Sequence, residues 1–265
     1  VQLGRVIKRK RMEKELNKYQ KYLEVLVRER TQELEKAQEE LINKERLAVL
    51  GQLTATVSHE IRNPLGTVRN AVFSIGEAVK LNETDRVNRS LKLAERNIKR
   101  CDRIINELLD FTREQKINCE LTNIDIGLES VLDEQENPEG IECVRKLNTD
   151  IDLPIDRELL CRAVNNVFSN AVQALQEENS NDNQLKVIST TNGNLLEIHF
   201  IDTGPGIPEE LIKKIFEPLF STKSFGIGLG VPVIKDMMEA HHGKFEIKSE
   251  LGKGTTAILS LPMNT

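Results

Sequence analysis

A helical periodicity that runs almost unbroken through the first 81 residues restricts the fold of this 265-residue chain more than any other feature. Residues 1 to 46 are dense in charge and nearly free of helix breakers, and their apolar side chains recur at spacings of three and four. The positions are Leu16, Tyr19, Leu23 and Leu26, followed by Leu34, Ala37 and Leu41. This heptad pattern predicts a parallel two-stranded coiled coil with a four-residue stutter between positions 30 and 34, and a single solvated helix is the alternative.

The apolar stripe continues from Leu47 to about Leu81, and a second one runs from Val87 to Thr112. Between them lies the polar segment Asn82–Asp85, which supplies cap residues. Two long helices joined by so short a turn must lie antiparallel. Because a lone hairpin buries this apolar surface poorly, we expect two copies to pair as a homodimer with a four-helix bundle.

After Gln115 the pattern changes to short strand-like segments interleaved with helical ones, which predicts an α+β domain. Strands are expected at 141–147, 185–191, 195–201, 244–249 and 255–261, and helices at 124–134, 156–176 and 232–241. The predicted organisation is therefore multi-domain. It consists of an all-α coiled coil over 1–46, an antiparallel helical hairpin over 47–115, and an α+β sandwich over 116–265.

Composition excludes several classes of protein. Residues 1 to 46 hold 13 Lys and Arg against 9 Asp and Glu, a net charge of +4. Because the formal net charge of the whole chain is −5, the rest of the chain carries −9, which argues against nucleic-acid binding. No apolar run approaches the roughly 18 to 20 residues of a membrane span, so no membrane contact is expected in this segment. The four cysteines form no CxxC pair, which indicates a reducing, cytoplasmic setting. The chain begins with Val, so we expect a segment upstream of it. The opening residues GRVIKRKRMEKEL resemble the linker that follows a PAS sensor domain, so we expect an upstream sensor domain and attachment of the full protein to a membrane through this missing N-terminal part.

His59 lies in the middle of the first predicted helix, in the segment Ser58–Leu65 of sequence SHEIRNPL. His59 and Asn63 are one turn apart on one face, whereas Glu60 reaches the imidazole only from its flank. Pro64 lacks the N–H that would bond to the Glu60 carbonyl, so it loosens the helix one turn after the histidine. A neutral imidazole can attack phosphorus while an adjacent carboxylate accepts the proton from its other nitrogen. An exposed helix histidine without chemistry is the alternative, and a zinc protease motif is excluded because Asn63 stands where a second histidine is required.

A second polar cluster lies on the helix predicted over 156–176, where Asn166 and Asn170 share a face one turn apart among apolar residues. Asn is a mediocre helix former, so two amides here favour oxygen ligands for a hard cation such as Mg²⁺, completed by waters and phosphates. A solvated edge or a capped loop contact is the alternative.

Seven of the 15 glycines fall in three short segments. These are Asp202–Gly206 (DTGPG), Gly226–Gly230 (GIGLG) and Gly252–Thr255 (GKGT). Glycines let backbone amides approach phosphate oxygens, and the GIGLG segment precedes a helix whose N-terminus favours anions. Neither GxxxxGKS/T nor GxGxxG is present, so on their own these segments are turns with a weak nucleotide signal.

The motifs occur in a fixed order: SHEIRNPL, NNVFSNAVQAL, DTGPGIP, FEPLFSTK, GIGLG and GKGT. This order resembles the H, N, G1, F, G2 and G3 boxes of the sensor histidine kinases of two-component systems, over about Asn43 to Pro262, and is most similar to the nitrogen-regulation type. The resemblance implies a Bergerat-type ATP-binding domain with ATP and Mg²⁺ as cofactors. It also implies autophosphorylation of His59, transfer of the phosphoryl group to an aspartate of a separate response regulator, and regulator phosphatase activity.

The resemblance further assigns roles to residues. Glu60 would be the general base, and Asn63 would orient a water in dephosphorylation of the regulator. Asn170 would bind Mg²⁺ with support from Asn166. In the nucleotide site, Asp202 would accept a hydrogen bond from the adenine amino group, and Gly204 and Gly206 would lie beside the base. Residues 206–225 would form a mobile lid that Phe216 and Phe220 hold by hydrophobic contacts. The phosphates would be contacted by Lys223, Gly226, Gly228 and Gly230, and Thr255 of the last glycine segment would complete the site.

Several positions depart from the family pattern. Ile227 replaces a common Thr, Gln173 stands where many relatives have Lys or Arg, and His242 stands where a Gly is common. Asn166 occupies the place of a water-activating Glu in hydrolytic relatives, which disfavours simple ATP hydrolysis. Two other classes stay open, namely an ATPase that opens and closes a dimer and a non-catalytic coiled-coil scaffold that binds ATP or nothing.

Overall fold

The computed structural model describes residues 2–112, 117–135, 140–178, 182–221 and 227–263. The chain divides into two compact units, residues 1–55 and 56–265. Helix α1 runs from Gln2 to Lys80 and helix α2 from Thr84 to Thr112. In the described part of the chain, no helix is both long enough and apolar enough to cross a membrane.

The N-terminal unit is formed by α1 up to residue 55, and its predicted seam lies on the surface of the single chain. Leu16, Tyr19 and Leu23 are all exposed. Together with Val27 they line a shallow apolar groove along the helix. Apolar side chains in a row at these spacings are typical of a helix that pairs with a partner helix.

The second unit begins with the predicted hairpin of α1 and α2. Helix α1 ends because Asn82 adopts a left-handed φ of +55°, which lets the Glu83 N–H bond to the Ala78 carbonyl at 2.9 Å. Across the hairpin, Ser90 bonds to Ser74 at 3.2 Å. Bonds between the two helices pair positions that lie progressively further from the turn on each helix, so the helices are antiparallel as predicted.

Two sheets and several helices make up the C-terminal part. The described elements are β1 (Glu120–Asn123), α3 (Ile124–Asp133), β2 (Glu142–Lys146), β3 (Asp152–Ile155), α4 (Arg157–Glu178), β4 (Gln184–Asn192), β5 (Leu195–Asp202), α5 (Glu209–Ile212), a 3-10 turn (Lys214–Phe216), α6 (Gly230–Ala240), β6 (Lys244–Glu250) and β7 (Gly254–Pro262). The strands and helices predicted from the sequence lie within two residues of these bounds, whereas β1, β3, α5 and the 3-10 turn were not predicted.

The larger sheet has the strand order β2-β4-β5-β7-β6 and is antiparallel except for the parallel pair β2 and β4. Along β5, buried and half-buried residues alternate, and Leu196, Ile198 and Phe200 point into the core. Helices α4 and α6 pack against each other and against this sheet, and α3 packs on α4. The α+β architecture is therefore as predicted, with β1 and β3 forming a separate antiparallel pair.

A buried node at Asp156 joins the segment after the hairpin to two helices of the α+β part. Its carboxylate accepts the Leu159 N–H at 3.1 Å, which caps α4, and the Asn118 N–H at 2.9 Å. Burial raises the pKa of this carboxyl, but the hydrogen bonds lower it by more, so that the pKa lies below its ordinary value. The Asp156 N–H donates to His241 Nε2 at 2.9 Å, so His241 carries its proton on Nδ1, which donates to the Met237 carbonyl at 2.8 Å. The node therefore fixes the start of α4 against the end of α6.

Candidate active site

The imidazole of His59 is exposed on α1, and Asn63 is exposed one turn further along. Pro64 is buried, and the helix continues through it without the hydrogen bond to the Glu60 carbonyl that its missing N–H would have made. The Asn63 carbonyl accepts the Thr67 hydroxyl at 3.3 Å. The histidine is thus accessible to a phosphoryl donor arriving from outside the hairpin.

Glu60, the neighbour of that histidine, is held by Arg100 of α2. The Arg100 Nη2 to Glu60 Oε2 distance is 3.0 Å, and the two side chains are only 21% and 29% exposed. A charged hydrogen bond in so partly desolvated a place is stronger than one in open water. The ion pair therefore holds the carboxylate of the residue that follows His59 against α2, and sequence analysis did not identify Arg100 because the two paired residues are 40 positions apart.

A cleft of about 250 Å³ opens between α4, the larger sheet and the start of α6. The predicted nucleotide residues that line it are Asn166, Asn170, Asp202, Gly206, Phe220, Gly228, Gly230 and Thr255. Gln173, the position that departs from the family pattern, also lines it. Residues predicted from five separate motifs thus meet in one cavity, whereas His59, Glu60 and Asn63 are not among its lining residues.

The two asparagines of α4 converge on Gly230, the first residue of α6. A Cβ placed on Gly230 would lie 3.6 Å from Asn166 Oδ1 and 3.7 Å from Asn170 Nδ2. The Asn166 Nδ2 donates to the Arg162 carbonyl at 3.0 Å, so its oxygen faces the glycine. The Asn170 amide can present its oxygen by a half turn, and such neutral oxygens suit Mg²⁺. Among the described residues no group of three or more His, Cys, Asp and Glu side chains could hold a metal ion.

Asp202 ends β5 with its side chain buried, 7% exposed, at the wall of the cleft. Its Oδ1 accepts the Gly204 N–H at 3.0 Å and the Thr255 N–H at 3.1 Å. Gly204 does not line the cleft but packs beneath this carboxylate, since a Cβ there would lie 2.9 Å from Oδ1. The carboxylate is therefore fixed in one orientation by the backbone on both sides of it.

The loop after Asp202 is attached to the turn between β6 and β7. Gly206 has a φ of +71°, and a Cβ there would lie 2.1 Å from the Glu250 carbonyl oxygen. The Gly252 N–H donates to the Pro205 carbonyl at 2.7 Å, and the Ile207 N–H donates to Ser249 Oγ at 2.8 Å. The requirement for glycine at 206 is thus steric, because two backbone segments approach closely at this position.

The glycine-rich segment before α6 forms the opposite wall of the cleft. Gly228 has a φ of +76°, and a Cβ there would lie 2.6 Å from the Phe220 carbonyl oxygen. Helix α6 begins after Leu229, whose side chain makes no capping hydrogen bond. Backbone N–H groups at an uncapped helix start favour an anion such as phosphate, as predicted for this segment.

The remaining predicted residues lie elsewhere. Phe216 packs edge-on against Phe245 with ring centres 5.8 Å apart and does not itself line the cleft, although Phe245 does. Lys223 and Gly226 lie outside the described residues. The roles of these three residues, like those assigned to the other predicted site residues, stay predictions.

Helix α2 of the hairpin contributes residues to the cleft that sequence analysis missed. Arg103 and Glu107 are among the lining residues. The Ile227 N–H donates to Glu107 Oε2 at 3.4 Å, and Arg162 of α4 pairs with Asp110 at 3.3 Å. The spacing of three and four along α2 marks one helix face, but nothing in the sequence indicates what that face contacts.

Comparison with known families decides what kind of protein carries this arrangement. Residues 49–117 match the His Kinase A (phospho-acceptor) domain, and residues 155–265 match the histidine kinase-, DNA gyrase B-, and HSP90-like ATPases. The chain belongs to the sensor histidine kinases. The family resemblance is therefore confirmed, whereas the nitrogen-regulation type stays a prediction.

Curated sensor histidine kinases align over most of this chain. Sensor histidine kinase ZraS of Escherichia coli strain K12 is 27% identical over 231 residues, which are 86% of this chain and 48% of the relative. Signal transduction histidine-protein kinase AtoS of the same strain is 31% identical over 232 residues, 86% of this chain and 37% of the relative. Sporulation kinase B of Bacillus subtilis strain 168 is 28% identical over 227 residues, 84% of this chain and 52% of the relative. The chain thus spans about half or less of these relatives' length.

Among solved structures, the histidine kinase ThkA in complex with the response regulator protein TrrA has the same fold. Its TM-score is 0.64 at 26% identity, and the alignment covers 86% of this chain and 66% of that one. A full-length ShkA structure in complex with AMPPNP has a TM-score of 0.53 at 22% identity over 81% of this chain and 46% of that one, which supports the fold alone. The predicted architecture of a helical region followed by an α+β ATPase domain is confirmed.

Proposed function

We propose that this sensor histidine kinase chain transfers the terminal phosphoryl group of ATP to His59 and then to an aspartate of a response regulator. The observation that carries the proposal is the combination of two sites in one chain. One is the exposed imidazole of His59, followed in the chain by Glu60, whose carboxylate is held by Arg100. The other is a cleft in which both asparagines of α4, Asp202 and the uncapped start of α6 meet.

The chemistry at His59 divides between the ring and its neighbour. One ring nitrogen attacks the terminal phosphorus, a nitrogen–phosphorus bond forms, and the bond to the bridging oxygen breaks so that ADP leaves with the electron pair. Glu60 would accept the proton from the other ring nitrogen, which keeps the imidazole from accumulating positive charge. Arg100 of α2 donates a hydrogen bond to that carboxylate, with its Nη2 3.0 Å from Glu60 Oε2, so Arg100 acts as a positioning residue.

The cleft would bind the nucleotide with the base near Asp202 and the phosphates near the start of α6. Asn170, supported by Asn166, would hold Mg²⁺, which when bound offsets the charge of the phosphates. The close backbone approach at Gly206 shapes the part of the cleft beside the base. Both cofactors follow the prediction from sequence, and the ATPase family of residues 155–265 supports the nucleotide.

The phosphoacceptor and the cleft must approach each other for reaction. His59 does not line the cleft in this structure, so either the two domains rearrange or a second copy of the chain supplies the imidazole. Movements of loops or domains of this kind occur in microseconds to milliseconds and gate the reaction in many enzymes.

We also propose that the chain is a homodimer. Val72 and Phe73 of α1 and Leu91 and Ile98 of α2 are all exposed on the single hairpin, and pairing with a second hairpin would bury such surface. The functional division into 1–46, 47–115 and 116–265 follows the same proposal, with the N-terminal seam as a coiled coil that biases the arrangement of the kinase domains.

We also propose a second activity, dephosphorylation of the regulator, in which Asn63 takes part. It is exposed one turn after His59, where its amide would orient a water toward the phosphorylated aspartate of a bound regulator. We place the chain in the cytoplasm, the location expected from its composition, where it would encounter both ATP and the response regulator.

Transfer to receiver domains tests the proposed function. The chain is incubated with γ-labelled ATP and Mg²⁺, nucleotide is removed, and purified receiver domains are added. We expect label to move to an aspartate of a receiver domain from the wild type and not from a His59→Gln variant. The matched control is His242→Asn, which changes an exposed histidine with a φ of +55° to a residue that tolerates that conformation. Release of free phosphate without labelled protein would instead indicate a simple ATPase.

A further inference from the structure

One face of helix α2 enters the wall of the nucleotide cleft. Arg103 and Glu107 lie one turn apart on this face and both line the cavity. The Glu107 Oε2 accepts the N–H of Ile227 at 3.4 Å. That N–H belongs to the glycine-rich segment whose backbone groups are suited to phosphate oxygens. A carboxylate of the hairpin therefore binds at a place that suits the nucleotide's phosphates.

A second contact fixes the same face of α2 on the ATP-binding domain. Asp110, three residues after Glu107, pairs with Arg162 of α4 at 3.3 Å, and the two side chains are only 26% and 16% exposed. The Arg162 carbonyl accepts the side-chain N–H of Asn166 at 3.0 Å. The ion pair thus attaches the hairpin to α4 one turn before the cleft.

We infer that Glu107 competes with the nucleotide's phosphates, and that Glu107 and Asp110 together form a latch that holds the hairpin against the ATP-binding domain when no nucleotide is bound. Two anionic groups at one backbone donor repel each other, so the phosphates and the Glu107 carboxylate exclude one another there. ATP binding would then release α2 from the cleft, and by reciprocity the latched state lowers the affinity for ATP. The inference rests on the proposed function in so far as the cleft binds ATP.

Nucleotide affinity tests the latch. The binding of AMPPNP with Mg²⁺, which transfers no phosphoryl group, is measured by isothermal calorimetry on the full chain. We expect Glu107→Gln to bind about five- to tenfold more tightly than wild type, because the charge that competes with the phosphates is gone. Asp110→Asn should also tighten binding, although its side chain does not line the cleft. The matched control is Glu95→Gln, an exposed glutamate on α2 whose affinity should equal that of wild type.

Amide hydrogen exchange without nucleotide gives a second readout. The peptide covering residues 227–233 should exchange faster in Glu107→Gln than in wild type and in Glu95→Gln. Unchanged or weaker AMPPNP binding by Glu107→Gln, with wild type binding normally, would overturn the latch and leave the proposed function intact. Failure of the wild-type chain to bind AMPPNP would overturn both.

Discussion

Replacement of Gly206 by alanine would force apart two backbone segments at the base of the nucleotide cleft. The new Cβ would start 2.1 Å from the Glu250 carbonyl oxygen and 2.8 Å from its carbon, where ordinary contact begins at 3.4 Å. Both neighbours are backbone atoms, so the loop must shift by about 1 Å or more to relieve the overlap. That shift would weaken the bonds from Gly252 to Pro205 at 2.7 Å and from Ile207 to Ser249 at 2.8 Å.

The expected energy follows from these contacts. The left-handed conformation costs a non-glycine residue about 1 to 2 kcal/mol, and each weakened hydrogen bond costs about 1 kcal/mol, so the local destabilisation is about 3 to 4 kcal/mol. Because the displaced loop lines the cleft, we expect AMPPNP affinity to fall by at least about tenfold, together with thermal stability.

Gly193→Ala is the matched control. Gly193 has a φ of +60° in the turn between β4 and β5, and a Cβ there would meet no atom within 4 Å. This variant should lose only the conformational energy of about 1 to 2 kcal/mol in stability, and it should bind AMPPNP like wild type. Isothermal calorimetry and thermal unfolding of both variants check the reasoning. Equal nucleotide affinity of the two variants would refute the steric argument.

Three further predictions concern stability, catalysis and signalling. Burial raises the pKa of the Asp125 carboxyl, but hydrogen bonds from Ser189 and from residues 149–150 outweigh that effect and hold the pKa below its ordinary value. Because Asp125→Asn weakens these bonds to a charged acceptor, it should lower the free energy of unfolding by about 2 kcal/mol at pH 7. That contribution is present above the unfolded pKa of about 3.9 and is lost as pH falls through the lower folded pKa, so the calorimetric difference from wild type should shrink below about pH 4 and a constant difference would contradict it. Arg100→Gln should slow autophosphorylation about tenfold or more with nucleotide affinity unchanged, since the carboxylate of Glu60, the proposed general base, loses its partner, and Arg100→Lys should restore part of the rate. One residue inserted after Glu33 rotates the following helix by about 100° and should change the autophosphorylation rate; an unchanged rate would exclude signal transmission through the seam.

Local sequence pattern predicted most elements because each has its own periodicity. The alternation along β5 and the amphipathic stripe of α2 need no knowledge of the rest of the chain. Strands β1 and β3 were not predicted because each has only four residues. They pair with each other although a helix and a strand lie between them in the chain, and Leu121 lies opposite Pro154. A proline within a segment argues against a strand unless its pairing is known.

The candidate site was predictable in its residue types and less so in its contacts. Motif order identified Asn170 and Asp202, which line the cleft. The bond that holds Glu60 spans 40 positions along the chain, and the bond between the hairpin and Ile227 spans 120. Such contacts depend on how helices pack, which side-chain spacing within one element does not specify. The family pattern also marked His242 as unusual, and the structure explains why glycine is common there, since the residue has a left-handed φ of +55°.

The chemical nature and position of a phosphoryl label test the central claim most directly. After incubation with γ-labelled ATP and Mg²⁺, the chain is divided between acid and alkaline treatment, and the alkali-treated half is digested and mapped by mass spectrometry. We predict a label that is lost in acid, survives alkali and lies on His59. A protein that stays unlabelled while free phosphate accumulates, or a label that lies on another residue, would contradict the account.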